Sequence, residues 1–174
     1  TRREVSDLGR ARLAVHGLAA RAHGGFQTAI LAPTEVLAQQ HFETFSKWFR
    51  SEPVQIALLT RSSQILGSET VAKETLKNAI RSGLASIIIG THALLQEDVS
   101  FHNLALVIVD EQHRFGVSQR AALQEATRNS KDGLPKTTPH LLTLTATPIP
   151  RTLAISFLGN LDISVLDEMP KNRI

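Results

Sequence analysis

The chain has 174 residues, the length of one generous domain, with 19 Lys and Arg against 16 Asp and Glu. The absence of cysteine excludes disulfides, thiolate zinc sites and cysteine nucleophiles, and it fits a reducing cytoplasm. We expect no membrane segment, because no run approaches roughly 20 apolar residues, and no signal peptide; the net charge of +3 is too small to name a partner.

Six short apolar runs predict β-strands. They are near-continuous rather than alternating, which is typical of strands that are buried on both faces of a sheet. In chain order they are residues 28–32, 55–59, 86–90, 104–110, 141–145 and 163–166.

Helical patterns lie between these runs. One apolar stripe predicts a helix that begins near Thr34, and a second predicts a helix that Gly83 ends. Shorter helices are expected over residues 118–126 and 151–158, with a polar surface loop over residues 128–139. Because strands and helices alternate, we expect an α/β fold with a mainly parallel sheet covered on both faces. The two stripes consist of Ala38, Phe42, Phe45 and Phe49, and of Ala72, Leu76, Ala79 and Ile80.

Polar, turn-forming residues follow four of the predicted strands. Ligands of an open parallel sheet bind at the carboxyl ends of its strands, so these turns are candidates for one shared site. They are Pro33-Thr34-Glu35, Gly90-Thr91-His92, Asp110-Glu111-Gln112-His113 and Thr145-Ala146-Thr147.

Two adjacent carboxylates, Asp110 and Glu111, end the most apolar run. They need a compensating cation or hydrogen bonds, and a nucleotide-bound Mg²⁺ would provide that cation. In P-loop ATPases an aspartate at this place holds the shell of the metal, and the next acid orients or deprotonates the attacking water. A zinc site of Asp110, Glu111 and His113 is the alternative, although no second histidine stands at the helical spacing of metalloproteases.

The hydroxyl groups of the turns have two interpretations. Thr34 and Thr91 sit where a strand gives way to a helix, so they could cap that helix or bind phosphate oxygens. Thr145 and Thr147 suit a switch that passes hydrogen bonds from Gln112 or His113 to another element, or they belong to a turn.

Four blocks together resemble the first RecA-like motor lobe of a superfamily 2 helicase. The blocks are LAPTEVLAQQH, IIIGTHALLQ, LVIVDEQHRFGVSQR and LTATPIPRTLA, and they are most similar to the RecG family of bacterial ATP-dependent DNA helicases that act on branched DNA. The resemblance covers roughly residues 24–173. It implies a RecA-like three-layer sandwich, ATP and Mg²⁺ as cofactors, and a cytoplasmic location.

The resemblance also assigns roles to the four turns. Pro33, Thr34 and Glu35 (motif Ia) and Gly90, Thr91 and His92 (motif Ib) would touch the DNA backbone. The catalytic motif II would consist of Asp110, Glu111, Gln112 and His113. In it, Asp110 would hold Mg²⁺ through water, and Glu111 would act on the attacking water. Motif III, which consists of Thr145, Ala146 and Thr147, would couple the two ends of the ATP hydrolysis cycle. Residues 1–174 would form this single lobe, without the second motor lobe or the junction-binding domain.

One feature of the family is missing from the sequence. The phosphate-binding loop Gly-x-x-x-x-Gly-Lys-Thr does not occur, and the nearest stretch, residues 6–13, lacks the lysine and the hydroxyl. Either the loop is degenerate, or the sequence skips it between Arg10 and Val15, since residues 1–12 and 14–25 resemble the helices on its two sides. We favour the skipped loop.

Three functions therefore remain open. The first is the ATPase lobe of a DNA translocase, which the intact Asp110-Glu111 pair favours. The second is a catalytically silent RecA-like lobe that serves as a binding or scaffold module, which the missing lysine favours. The third is a metal hydrolase with zinc or manganese at Asp110, Glu111 and His113.

Overall fold

The computed structural model describes residues 25–110 and 139–144. Several expectations lie outside these residues: the helices over residues 118–126 and 151–158, the strand over residues 163–166, most of the loop over residues 128–139, and the region between Arg10 and Val15. Of the candidate site residues, Glu111, Gln112, His113, Thr145, Ala146 and Thr147 also lie outside them.

The predicted strands that fall within the described residues are present, with bounds within two residues of those expected. The helices follow the two apolar stripes, and α1 begins directly after Thr34. The strands are β1 (Gln27–Leu31), β2 (Ile56–Leu59), β3 (Gln64–Leu66), β4 (Glu69–Thr70), β5 (Ile87–Gly90), β6 (Leu104–Asp110) and β7 (His140–Leu144). The helices are α1 (Glu35–Trp48) and α2 (Lys73–Arg81), and a short 3-10 helix covers His92–Leu95.

The strands form one mixed sheet in the order β4-β3-β2-β5-β1-β6-β7. The pairs between β2, β5, β1, β6 and β7 are all parallel, as the sequence predicts. The pairs of β3 with β2 and with β4 are antiparallel, an extension of the sheet that the sequence did not predict. Gly67, between β3 and β4, has φ +61, a conformation that suits glycine.

Two apolar layers cover the two faces of this sheet. On one face α1 buries Ala38, Phe42 and Phe45 against the central strands. On the other face α2 packs Leu76 and Ile80 against the same strands. Burying one such large side chain contributes about 1.5–3 kcal/mol, so the two layers hold the sheet between its helices. The predicted α/β class is confirmed.

Strand β7, the last strand in the order of the described sheet, departs from the expected pattern. Its residues are half-buried or exposed, and Leu141 is 41% exposed, whereas β1, β2 and β5 are buried throughout. Among the described strands β7 pairs with β6 alone, so an apolar run does not by itself guarantee burial on both faces.

A single side chain joins the loops at the amino ends of three strands. Gln27 is fully buried, and its Nε2 donates to the carbonyl oxygens of Ile80 (2.9 Å) and Ala85 (2.7 Å). Its Oε1 accepts from the backbone N–H groups of His102 (2.7 Å) and Asn103 (3.2 Å). All the hydrogen-bonding positions of this amide are therefore satisfied.

Candidate functional site

The turns with the candidate site residues lie along one edge of the sheet. In the parallel register, Leu31 of β1 stands beside Gly90 of β5 and Val109 of β6. Asp110 in turn stands beside Leu144, the last residue of β7. The expected shared edge is therefore present for Pro33-Thr34-Glu35, Gly90-Thr91-His92 and Asp110.

Asp110 makes a side-chain hydrogen bond to a residue of α1. Its Oδ2 lies 2.8 Å from Nε2 of His41, and the Asp110 side chain is 20% exposed. Side chains alternate along a strand, so Asp110 shares a face with Leu106 and Ile108, which belong to the α1 side of the core. Helix α1 is thus the element that can reach this carboxylate.

His41 was not predicted as a site residue, although it is the last residue of the block LAPTEVLAQQH. A signal was present, because His41 falls three residues after Ala38 and four before Phe45, on the buried stripe of α1. His41 is 5% exposed. A buried imidazole needs a polar partner, and that partner is Asp110.

The donor set of the described residues fits a nucleotide-bound metal better than a metal held by protein alone. Across residues 25–110 and 139–144, no group of three or more His, Asp or Glu side chains could hold an ion. Mg²⁺ is commonly held by one or two carboxylates together with waters and substrate phosphates. Asp110 fits that role, since Oδ1 has no hydrogen-bond partner within the described residues. Glu111 and His113 of the zinc alternative lie outside them.

Thr34 caps α1, which is the structural interpretation of this residue. Its side-chain oxygen accepts from the N–H of Leu37 at 3.2 Å, and its backbone is extended, as an N-cap requires. Such a cap contributes about 1 kcal/mol.

Glu35 binds the turn that follows β2. One carboxylate oxygen accepts from the N–H of Arg61 at 3.1 Å, and the other accepts from the hydroxyl of Ser62. The Arg61 side chain itself is exposed and makes no ion pair within the described residues. This edge of the sheet therefore includes Arg61 and Ser62, which sequence reasoning did not identify.

Gly90 is required by its surroundings. An added Cβ would collide with the carbonyl oxygen of Leu59 on the neighbouring strand. Thr91 precedes the 3-10 helix, but its side chain makes no capping hydrogen bond, so the expectation of a side-chain cap there is wrong. The N–H of Leu94 is satisfied by the Thr91 backbone carbonyl at 3.0 Å. In a 3-10 helix of four residues, the i to i+3 bond from the backbone replaces the cap. His92 is exposed.

Within the described part of the chain, no helix combines the length and apolar character needed to span a membrane.

Known proteins resemble this chain over most of its length. The ATP-dependent DNA helicase RecG of Escherichia coli K12 is 46% identical over 170 residues, which are 96% of the chain and 23% of that protein. The RecG of a Synechocystis species is 42% identical over 165 residues, 95% of the chain and 18% of that protein. The chain therefore spans about a fifth of the length of these curated relatives.

A solved structure and a family model agree with this similarity. A structure of RecG bound to a three-way DNA junction is 39% identical to the chain, with a TM-score of 0.62 over 86% of the chain and 18% of that protein. The predicted RecA-like fold and the resemblance to RecG are both confirmed. The family model described as DEAD/DEAH box helicase matches residues 11–155. The chain therefore belongs to the DEAD/DEAH box helicase family.

Proposed function

We propose that this chain is the first RecA-like motor lobe of a longer, cytoplasmic bacterial DNA helicase of the RecG type. In that protein ATP hydrolysis would drive movement on branched DNA, together with a second motor lobe and a junction-binding domain of the same full-length chain. The observation that carries the proposal is the common edge of the sheet, where Asp110 ends β6, the neighbouring strand β1 leads into motif Ia, and β5 on the other side of β1 leads into motif Ib. The relatives that support it are helicases by name, and one is bound to a three-way DNA junction.

The nucleotide half of this edge centres on Asp110. ATP with its Mg²⁺ would supply the phosphoryl group and the charge that stabilises its transfer. Asp110 would hold the metal through water, and Glu111 would orient or deprotonate the attacking water. Hydrogen bonds from Gln112 or His113 would link the nucleotide site to motif III, which consists of Thr145, Ala146 and Thr147.

The DNA half lies at the ends of β1, β5 and β2. Pro33, Thr34 and Glu35, with Gly90, Thr91 and His92, would contact the backbone of the translocated strand. A carboxylate repels phosphate, so the role of Glu35 would be to hold the turn after β2 rather than to bind phosphate itself. The exposed guanidinium of Arg61 on that turn would then meet a phosphate oxygen.

The phosphate-binding loop belongs to the proposal as well. We infer that the complete protein contains a Gly-x-x-x-x-Gly-Lys-Thr segment between Arg10 and Val15, which the sequence skips. Sequencing the gene through this region tests the inference directly. Continuous coding from Arg10 to Val15 would instead favour the silent lobe.

The test of the function is ATP hydrolysis by the full-length protein with and without branched DNA. We expect hydrolysis that DNA stimulates, and a loss of at least about 100-fold in Asp110→Asn and in Glu111→Gln. Glu69→Gln is the matched control, because Glu69 is an exposed carboxylate on β4, away from the site. The isolated 174 residues should hydrolyse ATP negligibly, because the arginine finger is expected from the second lobe.

The silent lobe is the second candidate, favoured by the missing lysine. Equilibrium binding of a fluorescent ATP analogue to the full-length protein separates the two. Absent binding together with absent hydrolysis would support the silent lobe and contradict the ATPase.

A further inference from the structure

We propose that His41 is a positioning residue that fixes the orientation of the Asp110 carboxylate for binding of the metal–nucleotide complex. The inference rests on the proposed function. The hydrogen bond from Nε2 of His41 to Oδ2 of Asp110 occupies one carboxylate oxygen, and Oδ1, which has no hydrogen-bond partner among residues 25–110 and 139–144, would accept from the water shell of the metal.

The chemistry of the pair fixes which group donates. An ionised carboxylate can only accept hydrogen bonds, so the proton must sit on Nε2 of His41. The bond therefore selects the imidazole tautomer with hydrogen on Nε2. It also selects one rotation of the carboxylate about its terminal torsion, which is otherwise broad.

The His41 ring is itself held in place by packing. Its side chain is 6% exposed, and its neighbours on the buried face of α1 are Ala38, Phe42 and Phe45. A donor on such a surface moves little, unlike a donor on a long exposed side chain. Asp110 is thus restrained at two points, by the backbone of β6 and by a ring anchored in the core.

This arrangement resembles the partners that orient metal ligands elsewhere in proteins. Loss of such a partner typically costs about 10- to 100-fold in metal affinity or activity. His41 differs from a catalytic residue because it contacts the carboxylate and would not touch ATP or the transferred phosphoryl group.

The experiment uses the full-length protein with three substitutions at His41. His41→Leu retains apolar bulk but removes the donor. His41→Gln retains a terminal N–H at a similar reach. His41→Ala shows the combined loss of packing and donor. Glu43→Ala is the matched control on the same helix, since Glu43 is exposed and makes a hydrogen bond with Gln39 at 3.2 Å.

Two measurements separate positioning from packing. The first is steady-state ATP hydrolysis with Mg²⁺, in which we expect His41→Leu to lower kcat by about 10- to 100-fold and to raise KM for ATP by about tenfold. The second is equilibrium binding of a fluorescent, non-hydrolysable ATP analogue with and without Mg²⁺. His41→Leu should lose about tenfold in affinity with Mg²⁺ and little without it.

The conservative variant decides the interpretation. We expect His41→Gln to recover most of kcat and most of the Mg²⁺-dependent affinity. Wild-type kcat in His41→Leu, or equal losses in His41→Leu and His41→Gln, would overturn the proposal in favour of simple packing. If the unsubstituted protein neither hydrolyses ATP nor binds the analogue, the proposed function fails instead, so the two failures can be told apart.

Discussion

The carboxylate of Glu35 joins the start of α1 to the turn after β2, by accepting a hydrogen bond from the backbone N–H of Arg61 at 3.1 Å. The same carboxylate accepts from the hydroxyl of Ser62. Two segments separated by 26 residues in the sequence thus form one continuous surface at the carboxyl edge of the sheet.

The two possible roles of Glu35 predict opposite effects of its substitution on the affinity for DNA. If Glu35 were a bystander, removing its negative charge would strengthen binding to DNA. Because it holds the Arg61 turn, we expect Glu35→Ala to weaken DNA binding by the full-length protein about three- to tenfold. Fluorescence anisotropy with labelled branched DNA measures the difference. Tighter binding by Glu35→Ala would show that the turn does not need this carboxylate.

Arg61→Ala addresses the phosphate contact itself. Loss of one phosphate contact should reduce the slope of log affinity against log salt concentration by about 1, and to a similar degree for different DNA sequences. The comparison is Arg81→Ala, since Arg81 is also exposed and lies at the end of α2, near the opposite edge of the sheet. An unchanged salt slope in Arg61→Ala would place the phosphate contact elsewhere.

We expect Gly90→Ala to lower the stability of the fold, and not only to affect DNA binding. The new methyl group meets the backbone carbonyl of Leu59, which cannot move without disturbing the β2–β5 pair. We expect a cost of about 2 kcal/mol in the free energy of unfolding, as for other overpacked sites. Thr91→Ala, which removes no capping bond, should stay within about 0.5 kcal/mol in the same thermal unfolding experiment.

The interactions of Lys77 predict a pH dependence of stability. Hydrogen bonds to Asp98 (2.6 Å) and Glu74 (2.7 Å) raise the pKa of Lys77, and the bond from Lys77 lowers the pKa of Asp98. The contribution of Asp98 is therefore present above its ordinary pKa and is lost as the pH falls through the lowered value. The contribution of Lys77 is present below its ordinary pKa and is lost as the pH rises through the raised value.

Asp98→Asn tests this prediction. Its unfolding midpoint should lie below that of the unsubstituted protein at about pH 7, by a small amount because the Asp98 side chain is 53% exposed and solvent screens its interaction with Lys77. The two midpoints should converge at pH values below the lowered pKa of Asp98, where the carboxyl is protonated in both the folded and the unfolded state. A gap that persists there would mean that the substitution perturbs the fold by another route.

The central sheet could be predicted from sequence because burial on both faces leaves unbroken apolar runs. β6 was predicted with its observed bounds, Leu104–Asp110, and Thr34 was expected where α1 begins. The short strands β3 and β4 could not be found this way. They are half-buried or exposed, and their pairing depends on the tight turn at Gly67 rather than on hydrophobicity.

The sequence could predict which turns form the site, but it could not predict which side chains within the site contact each other. Polar residues after buried strands indicate a shared edge, since all parallel strands end there. The bond between His41 and Asp110 joins residues 69 positions apart, and it depends on where α1 crosses the sheet. Neither the hydrophobic periodicity nor the composition of the sequence indicates where α1 crosses the sheet.

The buried hydrogen bonds of Gln27 make the amino edge of the sheet differ from its carboxyl edge. Its hydrogen bonds tie the segments before β5 and β6 to β1, so an insertion in either segment would break a buried cluster with no spare partners. The turns after β1 and β2 are held at the surface, by bonds such as that of Glu35. We therefore expect substitutions in the turns at the carboxyl edge of the sheet, other than at Gly90, to cost less stability than substitutions in the segments that Gln27 joins.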